Sequence, residues 1–96
     1  MRKTKRFHDY LVGSLQDPEE AAEYLNAVLE ENDPQLFLAA LRDVADAYGM
    51  GEIAKKTDLN RPSLYRMLSK EGNPEIYSVF SLLSAIGLRL KTKAAA

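Results

Sequence analysis

The sequence predicts an all-α fold, a compact bundle of about five to six helices in one domain of 96 residues. Apolar residues recur at three- and four-residue spacing along most of the chain, as they do on the buried face of a helix. Two segments also open with aspartate followed by proline, at Asp17–Pro18 and Asp33–Pro34. Such a pair caps and starts a helix, because the aspartate accepts from free N–H groups and proline fits the first turn. A chain of this length can bury one modest core.

The two helices that follow these pairs have well-defined inward faces. In the first, Glu20 stands where a capping box requires a carboxylate. Its inward stripe consists of Ala21, Leu25, Val28 and Leu29. The second is expected to extend from Pro34 to Tyr48, where Gly49 and Gly51 end it. Its inward face is wider and consists of Phe37, Leu38, Leu41, Val44, Ala45 and Tyr48. We therefore expect this helix to be the central pillar of the core.

The segment from Gly51 to Ser69 predicts two short helices joined by a tight turn. The inward positions are Ile53, Ala54, Leu64, Met67 and Leu68. At the turn, Asp58 is expected to accept a left-handed backbone conformation and Leu59 to fill the gap between the helices. The outward positions of the second helix are Arg61, Ser63, Tyr65 and Arg66, with no acidic residue before Lys70. Basic, hydroxylic and aromatic side chains in this order indicate a helix-turn-helix that reads a DNA major groove.

The N-terminal end of the chain is predicted to be an arm followed by a short helix, and the C-terminal end a helix followed by a short strand. Residues 1–6 form a disordered basic arm, and residues 7–15, with Gly13 as a weak point, form a short helix. Asn73–Pro74 is expected to start the last helix, and Gly87 to end it. The inward stripe of that helix consists of Ile76, Val79, Phe80, Leu83 and Ile86. Residues 88–92 alternate as a short strand, which would need a second copy of the chain as its partner. The dimer contacts expected from this are Phe80, Leu83, Leu88 and Leu90.

Charge divides the chain, although the net charge is only −1. Residues 7–33 form an acidic helical extension without lysine or arginine, whereas residues 51–96 are predominantly basic. The division indicates two partners of opposite charge. With no cysteine and a single histidine, His8, the sequence predicts no metal site and no cofactor. No apolar run approaches a membrane span, so the chain is expected to be cytoplasmic. Glycine-rich phosphate loops and nucleophile elbows are missing, so we do not expect an enzyme.

Three stretches give the chain a family resemblance. They are DPEEAAEYLNAVLEENDPQLFLAALRDVADAYGM, GEIAKKTDLNRPSLYRMLSKEGNPE and LLSAIGLRL. In their order and spacing, from residue 7 to residue 90, the chain resembles HigA-type antitoxins, also called addiction-module antidote proteins. These have a Cro/CI-like (XRE) helix-turn-helix in a lambda-repressor-like bundle, here residues 34–87. The resemblance implies a dimer that binds operator DNA and represses its own operon. It also implies a cognate toxin, a small basic ribonuclease of the RelE/HigB type.

The resemblance assigns roles to individual residues. Base contacts are implied for Arg61, Ser63 and Arg66. Backbone phosphate contacts are implied for Asn60, Tyr65, Lys55, Lys56 and Lys70. A basic toxin is complementary to the acidic segment, which adds a third set: Asp17, Glu20, Glu23 and Glu30. Two other functions remain open from the sequence. One is a stand-alone phage-type repressor without a toxin, and the other is a helical protein–protein adaptor.

Overall fold

The structure is a computed structural model that describes residues 11–96, and this part contains six helices and no strand. The helices are α1 (residues 11–15), α2 (Pro18–Leu29), α3 (Pro34–Tyr48), α4 (Met50–Lys56), α5 (Arg61–Met67) and α6 (Ile76–Ile86). The all-α prediction is confirmed. The expectations for the basic arm, for the start of the first helix and for His8 lie outside the described residues.

Helix α3 is the central pillar, as its wide apolar face predicts. It packs against α2, α4 and α6. Its fully buried positions are Leu38, Ala40, Leu41, Val44, Ala45 and Ala47, while Phe37 and Tyr48 are half-buried against the same core. No helix within residues 11–96 combines the length and the apolar character that crossing a membrane requires.

The two aspartate–proline starts form as predicted. Asp17 Oδ1 accepts from the backbone N–H of Glu19 at 3.0 Å. Asp33 Oδ1 accepts from the N–H groups of Gln35 at 3.0 Å and Leu36 at 3.3 Å. The capping box at Glu20 was wrong, and that carboxylate accepts from the Ser14 hydroxyl at 3.3 Å instead. The reason is that the Asp17 N–H, which the box would use, already donates to the Ser14 carbonyl.

The start of the last helix differs from the prediction. Helix α6 begins at Ile76 after the N-cap Glu75 and has no side-chain cap. Asn73 therefore lies too far upstream to reach the free N–H groups of the first turn. The buried residues are Leu82, Leu83 and Ile86, whereas Ile76 and Phe80, predicted for the core, are exposed. Helix α6 packs on α3 and α4, and these contacts leave its first turn uncovered.

The predicted strand at residues 88–92 is absent from the described chain. Gly87 has φ +96°, and the N–H groups of Gly87 and Leu88 both donate to the Leu83 carbonyl. This is a Schellman motif, which directs the chain back across the helix end. Leu88 then packs on the core, and Lys93 Nζ lies 2.6 Å from Glu30 Oε2 at the end of α2.

Two further expectations need correction. Leu29, predicted to face inward on α2, is exposed, because it lies one residue past Val28, at the edge of the stripe that packs on the core. Gly49 has φ +114° and ends α3 as expected, but Gly51 lies inside α4. The sharp change of direction between α3 and α4 therefore depends on Gly49 alone, a conformation that suits a residue without a Cβ.

Candidate nucleic-acid interface

Helices α4 and α5 are two short helices joined by a turn, as the sequence predicts, and their inward side is firmly anchored. Ile53 of α4, Leu64 of α5 and the following Leu68 are all buried in the common core. Leu59, in the connection, is half-buried against the same core and fills the gap between the helices as predicted. Because the apolar side of α5 is held in this way, its opposite side is presented to solvent.

The turn between these helices is closed by Thr57, which the sequence analysis did not single out. Its hydroxyl donates to the Ile53 carbonyl at 2.9 Å and accepts from the Leu59 N–H at 3.1 Å. Among residues 11–96, positive φ at non-glycine positions occurs only at Asn32 and Ala96. The left-handed conformation predicted for Asp58 is therefore wrong. The turn is instead stabilised by the Thr57 hydroxyl, which forms hydrogen bonds with the backbone on both sides of it.

Helix α5 is started by Asn60. Its side-chain Oδ1 accepts from the backbone N–H of Ser63 at 2.8 Å, and Pro62 occupies the first turn. Asn60 was predicted to contact phosphate, and the structure gives its oxygen a capping role. Only the Nδ2 group of its amide then remains as a donor for a ligand.

The outward side of α5 carries the predicted base-reading residues. Arg61, Tyr65 and Arg66 are exposed, and Ser63 is half-buried. Arg66 Nη2 donates to Ser63 Oγ at 3.3 Å, one helical turn away. The helix thus presents two guanidinium groups and a phenol on one short segment, and the Ser63 hydroxyl restrains one of those guanidinium groups.

The three lysines predicted for phosphate differ in their surroundings. Lys55 Nζ lies 3.5 Å from Glu52 Oε2, one turn earlier on α4. Lys56 donates to the Tyr48 hydroxyl and lies 5.0 Å from the centre of that ring. The hydrogen bond to Tyr48 raises the pKa of Lys56, which keeps this lysine charged. Lys70 is exposed beyond the end of α5.

Comparison with known proteins identifies the family. A family model described as "probable addiction module antidote protein" matches residues 3–94. The chain belongs to this family. A Haemophilus influenzae protein described as uncharacterized is 35% identical over 91 residues, which is 94% of each chain. No solved structure matches the chain.

Membership gives the antidote an antitoxin role and a cognate toxin as its partner. Antidotes act by binding another macromolecule rather than by catalysis, and the family is not one of enzymes, as the sequence predicts. Among residues 11–96, no group of three or more histidine or acidic side chains is arranged to hold a metal ion.

The four acids predicted for toxin binding are all exposed along α2 and its ends. Three of them have partners within the antidote. Asp17 caps α2, Glu20 accepts from Ser14, and Glu30 pairs with Lys93. Glu23 has no hydrogen bond or ion pair to any residue in the described part of the chain. We refer to these four exposed acids together as the acidic surface.

The residues predicted for dimer contacts do not share one environment. Leu83 is only 3% exposed and belongs to the core of its own chain, so it is not available to a second copy. Leu88 is half-buried on that core, whereas Phe80 is 54% exposed and Leu90 is 43% exposed. Tyr77, in the first turn of α6, was not predicted as a contact residue, and it is 82% exposed. The available signal was the nearly all-apolar sequence of α6, IYSVFSLLSAI, which offers more apolar surface than one buried face needs.

Proposed function

We propose that the antidote binds operator DNA through α5 as a homodimer and represses its own operon, like the XRE-type HigA antitoxins that it resembles. One observation carries this proposal: the exposed side of α5 presents Arg61, Tyr65 and Arg66, while its other side is locked in the core. A merely solvated helix would more often mix acids with bases, and α5 contains no acid. Such a protein acts in the cytoplasm, at the nucleoid.

The two arginines are the proposed base readers. A guanidinium group donates two parallel hydrogen bonds to O6 and N7 of guanine, and each such pair contributes about 1–3 kcal/mol of discrimination. Ser63 serves mainly to orient Arg66, since its hydroxyl already accepts from that side chain. Tyr65, Lys55, Lys56, Lys70 and the Asn60 amide are the proposed contacts to the sugar–phosphate backbone, which position the helix.

Binding to two duplexes tests this assignment. One duplex carries the region upstream of the antidote's own gene, and the other is a scrambled sequence of equal length. Arg61→Ala and Arg66→Ala should each weaken the free energy of binding to the upstream duplex by about 1–3 kcal/mol, and that of binding to the scrambled duplex by less. Arg89→Ala, which removes an equal charge from the exposed C-terminal segment, is the matched control. Equal losses for all three variants would mean that α5 does not read sequence.

The homodimer is proposed to form through the exposed first turns of α6. Ile76, Tyr77 and Phe80 recur at helical spacing and are all exposed. A single α5 reaches only a few base pairs, so two copies related by a two-fold axis would read half-sites about 34–36 Å apart.

Phe80→Asp should convert the dimer to monomer in sedimentation experiments. Leu29→Asp places the same charge on another exposed leucine, on α2, and should leave the dimer intact; a dimeric Phe80→Asp variant would exclude this surface.

The cognate toxin, proposed to be a basic RelE/HigB-like ribonuclease, is assigned to the acidic surface. Charge complementarity there would speed association and fix orientation. Replacing Glu20 and Glu23 together by glutamine preserves the capping residue Asp17 and removes two charges. This variant should bind the purified product of the adjacent gene more weakly, mainly through slower association at low salt. The control replaces Glu71 and Glu75, which precede α6, by glutamine; equal effects from the two double variants would reject the acidic surface.

A further inference from the structure

A groove of about 440 Å³ runs between the first half of α3 and the residues that follow α5. Leu38 of α3 and Leu68 beyond α5 are its buried apolar lining. Arg42 of α3 and Lys70 are its two basic residues, and Asp33 is its acidic one. The fold thus brings Arg42, which no motif singled out, to the same depression as a lysine at the end of the DNA-reading helix.

Neither of these two cations is neutralised within the described part of the chain. The ion pairs among residues 11–96 are Lys55 with Glu52 and Lys93 with Glu30. Asp33 lines the groove, but its Oδ1 accepts from two backbone N–H groups at the start of α3. Asp43, next to Arg42, accepts from the Tyr24 hydroxyl. The two cations and the hydrogen-bonded carboxylate of Asp33 leave the depression with a net positive charge, which favours an anion as its ligand.

The position of the groove relative to α5 indicates which anion. Helix α5 has seven residues and is therefore about 10.5 Å long, close to the ~12 Å width of the major groove. When a helix of this length spans the major groove of DNA from edge to edge, the residues just beyond its end lie near the phosphates that border the major groove. The Ser69 hydroxyl donates to the Arg66 carbonyl at 2.8 Å, so it is already used to close the helix end. Arg42 and Lys70 remain as the charged donors.

We propose that Arg42 and Lys70 together bind a backbone phosphate of the DNA duplex at the C-terminal end of α5. This inference rests on the proposed DNA binding and adds to it a contact from α3, a helix outside the helix-turn-helix. Because phosphate contacts carry no sequence information, the pair positions α5 on the duplex and does not select the base sequence.

The salt dependence of binding tests the pair directly. Each phosphate contact contributes about 0.9 to the slope of log K against log salt concentration. Arg42→Gln should reduce that slope by up to about 0.9 on both the upstream and the scrambled duplex, because Lys70 remains beside the same phosphate, while the ratio of the two affinities stays unchanged. Arg42→Lys keeps the charge and should retain the slope. Arg89→Gln removes the same charge outside the groove and should also retain it.

The outcomes separate this inference from the proposal on which it depends. If the unaltered antidote shows no salt-dependent binding to either duplex, both fail. If it binds and Arg42→Gln keeps its slope, only the phosphate site fails. A changed preference between the duplexes would make Arg42 a base reader and would also overturn the inference. An Arg42→Gln variant that binds DNA normally but no longer binds the product of the adjacent gene would also overturn the inference, because the groove would then be a protein-binding site. Unchanged melting temperatures exclude unfolding as the cause.

Discussion

At the scale of single residues, the contact between Tyr24 and Asp43 ties α2 to α3. The Tyr24 hydroxyl donates to Asp43 Oδ2 at 2.7 Å. Burial, together with the hydrogen bond to Asp43 and its negative charge, raises the pKa of Tyr24 from 10.0 to about 12. A raised folded-state pKa means that folding favours the protonated phenol. The stabilisation is therefore complete below pH 10 and is lost as the pH rises towards about 12.

We predict that Tyr24→Phe lowers the free energy of unfolding by about 1 kcal/mol near neutral pH, because one hydrogen bond is lost. The advantage of the unaltered protein over the variant should shrink and then reverse as the pH rises from 10 to about 12, because only the unaltered protein loses stability through this titration. Urea unfolding at several pH values measures both effects. Tyr77→Phe, at an exposed tyrosine, is the control. An advantage of the unaltered protein over Tyr24→Phe that grows with pH would contradict the assignment.

Gly72 lies so close to the backbone of Met67 that a side chain does not fit there. A Cβ at this position would lie 2.2 Å from the Met67 carbonyl oxygen and 2.8 Å from its carbonyl carbon. Because both are backbone atoms, the chain itself would have to shift. We predict that Gly72→Ala destabilises the antidote by about 1–3 kcal/mol, the usual cost of overpacking, in thermal or urea unfolding.

Gly13 provides the contrasting substitution for that measurement. It lies in α1, and a Cβ there would meet nothing within 4 Å. Gly13→Ala should therefore stabilise the protein by about 0.5–1 kcal/mol, since alanine loses less entropy in a helix. If both glycine variants changed stability in the same direction, the steric explanation for Gly72 would be wrong.

At the scale of elements, α5 depends on its cap and its packing. A helix of seven residues is too short to persist in water alone. We predict that Asn60→Ala costs about 1 kcal/mol of stability, whereas Asn60→Ser, which retains a capping oxygen, costs much less. Urea unfolding measures the cap, and the salt slope of DNA binding measures any phosphate contact. A reduced slope in the stable Asn60→Ser variant would restore the phosphate role for Asn60.

The elements also show where local sequence rules hold. The starts of α2 and α3 were predictable because Asp17 and Asp33 bond N–H groups only two or three residues away. The start of α6 was not, since the chain is still extended at the N-cap Glu75, two residues beyond the predicted cap Asn73. The turn before α5 failed for a related reason: Thr57 bonds both sides of it, so Asp58 needs no left-handed conformation.

At the scale of the whole molecule, stability and DNA reading should be separable. Leu41 is fully buried at the centre of α3. We predict that Leu41→Ala costs about 2–5 kcal/mol, a large part of the 5–15 kcal/mol that holds such domains together. The melting temperature of this variant should be lower than that of the unaltered protein. On warming, the variant should lose DNA binding and toxin binding together, at that lower temperature. Arg61→Ala, by contrast, should weaken DNA binding at an unchanged melting temperature, and a matching fall in melting temperature would make Arg61 a structural residue.

Periodicity and contacts between near neighbours in the chain were enough to predict the all-α class, the aspartate caps of α2 and α3, the central role of α3 and the inward residues of α4 and α5. Long-range packing was needed to show that Leu83 is core while Phe80 and Tyr77 face solvent, and that Arg42 shares a groove with Lys70. Helix α6 carries more apolar residues than one buried face needs, so the helices that cover it decide which of them are buried. Residues far apart in the chain meet only when those helices pack.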